Sequence, residues 1–404
     1  MHALIFEPDA GGHRLTYVRQ LLPALEGLCE VSVVLGQDAL DTDAFRVQLA
    51  PLGDRFQFHG VPFERAKGTL NKGRAANHAL EHAIDAHHAD HVFLPSADGL
   101  AQILGLPGSR TAAHFRRKRV SVEACMHRGP YAYPASGVRD RVYRRLRLAA
   151  LTHAPLARVQ YVDVVAYEWL AAHGHPLARR ASVLPDPVDD VPDMDKRDAR
   201  SRLSLPEDGR LISLSGAIST RKGADLLLKA FASAKLASND RLLLAGRTDT
   251  IVRTLLDGAL APLVREGRVI VMDRYISDDE LAWSMSAADV VCTCHPNHVG
   301  LSNICLRAMA ANRPVLTGDY GWFRAVVPHF GLGWTCNVSD EQAFARGLTE
   351  SLERAPSWAP TDATRRLRVF HDPANTRACF AANLCQRLGR DTSAVKTWEW
   401  AKHG

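Results

Sequence analysis

The chain has 404 residues, more than one hydrophobic core usually supports, so two domains are expected. Hydrophobic residues make up 46% and charged residues 23%, as is ordinary for a soluble globular protein, and no apolar run approaches the roughly 18 to 20 residues of a membrane span. The net charge of +6 is concentrated in Arg116-Arg117-Lys118-Arg119, followed by Arg128, Arg139, Arg141, Arg144, Arg145 and Arg147. A nucleic-acid module would interleave aromatics there or carry a reader motif, and neither is present, so no nucleic-acid partner is expected. Two readings of the Arg116 to Arg147 region stay open: a solvated basic helix, or a face for an anionic membrane or a phosphate-bearing acceptor.

Ala3-Leu4-Ile5-Phe6 reads as a first strand, entered without a basic region or cleavage site. A cytoplasmic protein is therefore expected, possible contact being with the inner membrane face. Glu7 to His13 is a turn, and Leu15 to Leu28 an amphipathic helix with Leu15, Val18, Leu21, Leu22 and Leu25 on its apolar face. Val31 to Leu35 is the second strand. The pair Gly11-Gly12, with His13, thus sits just after the first strand, the ligand edge of a parallel sheet, where glycine lets another molecule approach the backbone. It is not the GxGxxG dinucleotide fingerprint, so no NAD is inferred.

Phe56 to Val61 is a weaker strand. Asn71 to Ala89 is a helix carrying His78 and His82 on one face; with no HExxH motif, this is a polar surface rather than a metal site. His91 to Leu94 is a strand, followed by a turn that holds Asp98. Arg119 to Met126 is another, and it ends at His127. An imidazole where a buried strand emerges can act as a base, or donate to a bound phosphate or sugar hydroxyl. Val162 to Ala172 is helical and Ser182 to Leu184 a short strand. The proline-rich stretch Pro185 to Pro192 separates the two halves.

The second half restarts the alternation. Arg210 to Ser215 is a strand, its loop contains Gly216, Arg221, Lys222 and Gly223, and a helix runs from Ala224 to Ala234. Two cations beside helix N–H groups suit a diphosphate, which needs neutralisation and fixed donors. Arg241 to Ala245 and Arg247 repeat the device. Val269 to Met272 is a strand, and Ser277-Asp278-Asp279-Glu280 caps a helix to Ala287. Asp289 to Cys294, the loop His295 to Leu301, the helix from Asn303 to Ala311 with Ser302 at its N-cap, and the strand Val315 to Thr317 form one βαβ unit. It is either an anion site or simply a unit of the core. Cys292-x-Cys294 beside His295 lacks a second pair at metal-binding spacing and is read as one strand face; no metal is expected. The eight scattered cysteines are expected to be reduced, buried thiols. Asn375 to Leu388 reads as a helix and Ser393 to Lys402 as another.

The pattern predicts an α/β protein of two Rossmann-like doubly wound domains facing across a cleft, residues 1–184 and 185–390, with 391–404 as a helix packing back on the first. The ordered set Leu184 to Asp189, Leu214 to Ile218, Arg221 to Leu227, Leu244-Ala245-Gly246, Glu280-Leu281, Ala288-Asp289-Val290 and Arg307 to Val315 resembles the GT-B glycosyltransferases of the family 4 (group 1) type. The resemblance covers most of residues 183 to 340; the first half matches only in its glycine pair and in His127.

The resemblance implies a nucleotide-sugar donor, retaining transfer to a glycan, lipid-linked or small-molecule acceptor, and no cofactor or obligatory metal. Gly216, Arg221, Lys222, Arg247, Gly300, Leu301, Ser302, Asn303 and Arg307 would contact the donor. Gly11, Gly12, His13, Asp98, Asn297 and His298 would contact sugar or acceptor, with His127 catalytic. One departure stands out. Two glutamates eight apart, one near the sugar and one on the ribose, are usual in the family, and their positions here hold Val299 and Arg307. A carboxylate accepts from a ribose diol, whereas a guanidinium can only donate. The alternative expectation is a catalytically silent GT-B protein that binds a nucleotide, a glycan or a partner.

Overall fold

Thirteen strands are assigned in the computed structural model, which describes residues 1–11, 14–62, 68–188, 191 and 194–404, with only the backbone of 69 and 70. The strands are β1 (His2–Glu7), β2 (Glu30–Gly36), β3 (Gln57–Val61), β4 (His91–Leu94), β5 (Ser121–Met126), β6 (Arg158–Tyr161) and β7 (Ala181–Val183), then β8 (Leu211–Ser215), β9 (Arg241–Ala245), β10 (Val269–Met272), β11 (Val290–Thr293), β12 (Val315–Gly318) and β13 (Gly333–Cys336). They form two sheets, ordered β3-β2-β1-β4-β5-β6-β7 and β10-β9-β8-β11-β12-β13. Every pairing is parallel. Parallel strands buried on both faces need apolar residues throughout, and Ala3-Leu4-Ile5-Phe6 and Leu242-Leu243-Leu244 supply them. Leu4, Phe6, Val92 and Leu94 lie in the core of the first unit, and Leu214, Leu227, Leu242 and Val290 in that of the second. Each unit is a doubly wound α/β layer, as expected.

Each sheet reverses its direction of growth once. In the first, the chain leaves β1 towards β3 and then returns to place β4 on the other side of β1. In the second, β8 and β11 flank the same kind of switch. Loops leaving such neighbouring strands diverge and open a crevice at the carboxyl edge.

The chain divides into Met1–Pro187 with Pro373–Trp398, and Val188–Asp372 with Glu399–Gly404. The expected span 185–390 is therefore split, because helix Pro373–Arg387 completes the first unit. Buried polar groups on the first sheet explain why. Gln160 Nε2 donates to the carbonyls of Cys379 and Phe380, both at 3.2 Å, and Asn383 Nδ2 donates to Glu123 Oε1 at 2.7 Å. Arg387 reaches His91 Nδ1 at 2.9 Å. A guanidinium only donates, so Nδ1 accepts and Nε2 carries the proton, 2.9 Å from Glu123 Oε1. Trp398 Nε1 donates to Glu168 Oε1 at 2.9 Å. The final residues rejoin the second unit, where Arg366 Nε meets the Ala401 carbonyl at 3.4 Å.

Other differences have local causes. The helix read as Leu15 to Leu28 ends at Leu21 and continues as one 3-10 turn over Leu22–Leu25, because Pro23 has no N–H for the α-ladder. Five cysteines are buried and Cys29, Cys336 and Cys385 half-buried; all eight are free thiols. Among the described residues, no helix is long and apolar enough to cross a membrane.

Candidate functional site

The crevice of the second unit gathers the loops after β8 and β11. The β8 loop turns through Gly216 (φ +92°) into a 3-10 turn, Thr220–Lys222, and helix Ala224–Ser233. A Cβ on Gly223 would sit 2.2 Å from the Cys294 carbonyl, so the two loops touch where only glycine fits. Cys294 Sγ lies 3.3 Å from the carbonyls of Lys222 and Gly223, tying the thiol to this junction.

Asp249, which the sequence reading passed over, fixes the cationic turn. It caps helix Thr250–Asp257 through Val252 N at 2.8 Å, and its other oxygen accepts from Thr220 N at 2.8 Å. These backbone donors hold its carboxyl below the usual carboxylate range. Its signal was readable, since an aspartate before Thr250-Ile251-Val252 is an N-cap pattern.

Lys222 stands close to Gly216, with Nζ 3.1 Å from where a Cβ would lie. Burial, and then the charge of Arg221, push its ammonium down from the usual range. Among the described residues, no carboxylate lies within ion-pair distance of Lys222, Arg221 or Arg247. His295, weighed in the sequence only beside Cys292-x-Cys294, is 8% exposed, and its Nδ1 has no partner among the described residues. Burial, then His298, Lys222 and Arg221, push its pKa down to about 3, so the ring is neutral at physiological pH.

The β11 loop continues to Gly300, at φ +96°, which a side chain would strain. His298 is stacked on Phe323 with centroids 5.3 Å apart and donates from Nε2 to the Leu301 carbonyl at 3.0 Å. Asn297 is exposed. Ser302 occupies the N-cap of helix Asn303–Ala310 as expected, but its hydroxyl makes no capping bond. The Ser302 side chain thus supplies no cap to that helix end, where backbone amides point outward. Arg307 Nε donates to Asn303 Oδ1 at 2.8 Å, and Nη1 lies 3.5 Å from Asp278. The arrangement is two unneutralised cations, helix-end amides and a neutral imidazole in one crevice. It fits an anion of two linked phosphoryls.

The crevice of the first unit lies between the loops after β1 and β4. A cavity of about 370 Å³ is lined there by Asp9, Arg14, Lys72, Ser96 and Gly99, over an apolar floor that includes Phe6 and Leu94. Glu7, buried at 1% exposure, accepts from Arg14 Nη1 at 2.8 Å, while its Oε2 meets no hydrogen-bond partner of good geometry among the described residues. Burial outweighs Arg14 and raises the Glu7 pKa. Gly11 N donates to Asp9 Oδ1 at 3.0 Å. Gly12 and His13 lie outside the described residues.

His127 is half-buried at the end of β5, edge-on to Tyr17 with centroids 5.0 Å apart. Its Nε2 is 2.9 Å from the Pro95 carbonyl, which can only accept, so Nε2 carries the proton and Nδ1 is the basic nitrogen. Asp98 Oδ1 accepts from Arg128 N at 3.1 Å, pinning the next residue. The first sheet's carboxyl edge thus brings Gly11, Asp98 and His127 onto neighbouring loops, and Gly216, Lys222, His298, Gly300 and Ser302 share the second. Arg247 reaches the second edge from β9, one strand further out.

Residues 209–354 match the family described as Glycosyl transferases group 1. This is the resemblance carried by the motifs after Leu184. No curated protein matches the chain. Among solved structures, HepE from Anabaena in complex with UDP superposes with a TM-score of 0.69 at 14% identity, covering 96% of this chain and 100% of that one. Sucrose-phosphate synthase from Thermosynechococcus elongatus gives 0.72 at 18% identity, covering 96% and 100%. UDP-GlcNAc 2-epimerase from Neisseria meningitidis, bound to UDP-GlcNAc, gives 0.62 at 11% identity, again covering 96% and 100%. The fold is GT-B, two Rossmann-like domains in one chain.

Proposed function

We propose that the protein is a glycosyltransferase that moves a sugar from a nucleotide-diphosphate sugar to an acceptor hydroxyl, with retention at the anomeric carbon. The observation that carries the reading is Lys222 with Arg221, both without an ion-pair partner among the described residues, beside the uncapped helix at Ser302. The bond from the anomeric carbon to the diphosphate oxygen breaks with its electron pair going to that oxygen. Cations and amides placed there stabilise the charge as it grows. The similarity to HepE in complex with UDP and with UDP-glucose supports a nucleotide-sugar donor. The acceptor, a glycan, lipid-linked or small hydroxyl compound, binds in the first unit's cavity, where Asp9, Ser96 and Lys72 offer both acceptors and donors. His127, at the end of β5 on the same sheet edge, acts through Nδ1, taking the acceptor's proton or fixing the sugar. No metal ligand set is required by this chemistry, because the charge is met by side chains and amides.

The test is calorimetric titration with UDP, GDP, ADP and their glucose conjugates, followed by transfer or hydrolysis assays. One nucleotide diphosphate binds, and Lys222→Ala weakens it at least tenfold. Absence of binding to every nucleotide overturns the reading. A second reading has its own observation. Arg307, engaged with Asn303 and Asp278, stands where the resemblance places a glutamate, so the protein is alternatively a silent nucleotide-binding module. Binding without turnover on any donor, and no change in His127→Ala, selects it.

A further inference from the structure

Helix Val138–His153 in the first unit has two faces. Arg144, Arg147, Leu148 and Leu151 point inward. Leu148 and Leu151 are buried, Arg144 Nη1 bonds the Pro130 carbonyl at 2.7 Å, and Arg147 Nε bonds Gln102 Oε1 at 2.6 Å. Opposite them, Val138, Val142 and Leu146 recur every four residues and are 72%, 51% and 64% exposed. At 100° per residue these three form one stripe, which Ala149, also exposed, extends. Arg141 and Arg145 run along one side of the stripe; Arg139 and Tyr143, the latter 52% exposed, run along the other. The helix carries one acid, Asp140, which is already bound to Arg144 at 2.7 Å.

A core-facing pattern therefore appears twice on one helix, and the second copy faces solvent. Four of the eleven large apolar residues exposed among those described lie here. Scattered exposed apolar residues need no partner, but a continuous stripe edged by arginines that have no ion-pair partner among the described residues is a site. We propose that this helix lies in the interfacial plane of an anionic lipid bilayer, with Val138, Val142 and Leu146 in the acyl boundary and Arg139, Arg141 and Arg145 on headgroup phosphates. Charge complementarity selects lipid over a protein partner: the stripe is flanked by cations on both sides, as a plane of negative headgroups requires. Tyr143 adds an amphipathic ring at the headgroup level. The earlier basic run does not share this role. Lys118 is paired with Asp85 at 2.8 Å, Arg117 contacts His114 at 2.9 Å, and no large exposed apolar side chain lies among residues 110–119. The surface stands without the transfer reading, since it needs neither donor nor turnover.

The experiment is flotation of the full chain with vesicles of phosphatidylcholine alone, or with about a third phosphatidylglycerol, an anionic content within the range where polybasic faces respond. Wild type partitions onto the anionic vesicles and releases as salt is raised. Val142→Asp/Leu146→Asp lowers the partition coefficient at least tenfold. Each of Arg139, Arg141 and Arg145→Gln lowers it about fivefold, the equivalent of roughly 1 kcal/mol per basic residue. All five side chains are exposed, so an unchanged melting temperature confirms that the variants fold. Equal binding by wild type and the double aspartate variant overturns the proposal, as does no binding to anionic vesicles. A concentration-dependent dimer in solution that the aspartates abolish, without vesicle binding by wild type, overturns it in favour of a contact between copies.

Discussion

Arg307 donates from Nε to Asn303 Oδ1 at 2.8 Å, one turn earlier on the same helix. A guanidinium at this place can offer hydrogen bonds to a ribose but cannot accept them. If it holds the nucleoside, Arg307→Ala costs one charge-assisted bond, about 1.5–3 kcal/mol, and weakens UDP binding roughly tenfold or more. Pyrophosphate, which the proposed function places on Lys222, keeps its affinity. Competition calorimetry with both ligands measures the difference.

Asp249 holds the cationic turn by one oxygen and a helix by the other. Asp249→Ala removes a cap, a loss of about 0.5–2 kcal/mol in stability by chemical denaturation. It also frees Thr220 and so loosens Lys222, and pyrophosphate affinity falls several-fold. Asp249→Asn keeps one acceptor oxygen and recovers part of both.

The depressed His295 pKa gives an acid limb to stability. The unfolded chain takes up a proton near the ordinary pKa of 6.5, while the native ring resists until about 3. Between those values the unfolded state binds more protons, so stability is full above pH 6.5 and is lost as pH falls towards 3. Denaturant midpoints from pH 7 to pH 4 show this slope, and His295→Gln flattens it. A bound diphosphate offsets Lys222 and Arg221, so it raises the His295 pKa in an NMR titration.

Much of this was legible beforehand. Strands such as Ala3 to Phe6 and Leu242 to Leu244 advertise double burial, and the cationic loop at Arg221-Lys222 announces itself by composition. His295 did not, because a histidine next to Pro296 reads as loop until the fold buries it against the charges of another loop. Strand β6 was invisible for a similar reason. Its Arg158 and Gln160 look like surface residues, and Gln160 is buried only because helix Pro373–Arg387 supplies carbonyls for its amide. Side chains whose partners lie far along the chain carry no local signal. The helix Val138–His153 was blurred by its own second apolar stripe, which leaves no single face marked as the buried one.

Asn383→Ala leaves Glu123, 1% exposed, without its amide donor. Leaving a buried acceptor without its donor costs about 1–3 kcal/mol, and the first unit melts earlier by calorimetry. Glu123→Gln with Asn383 intact loses less, since an amide oxygen still accepts.

The return of helix Pro373–Arg387 to the first sheet also bears on synthesis. While the ribosome is still making the second unit, the nascent first unit has Phe93 without the Phe380 ring that packs on it at 4.6 Å, and Gln160 without its carbonyls. The half translated earliest is thus among the last to close, and it passes through translation with an apolar face waiting for residues not yet polymerised.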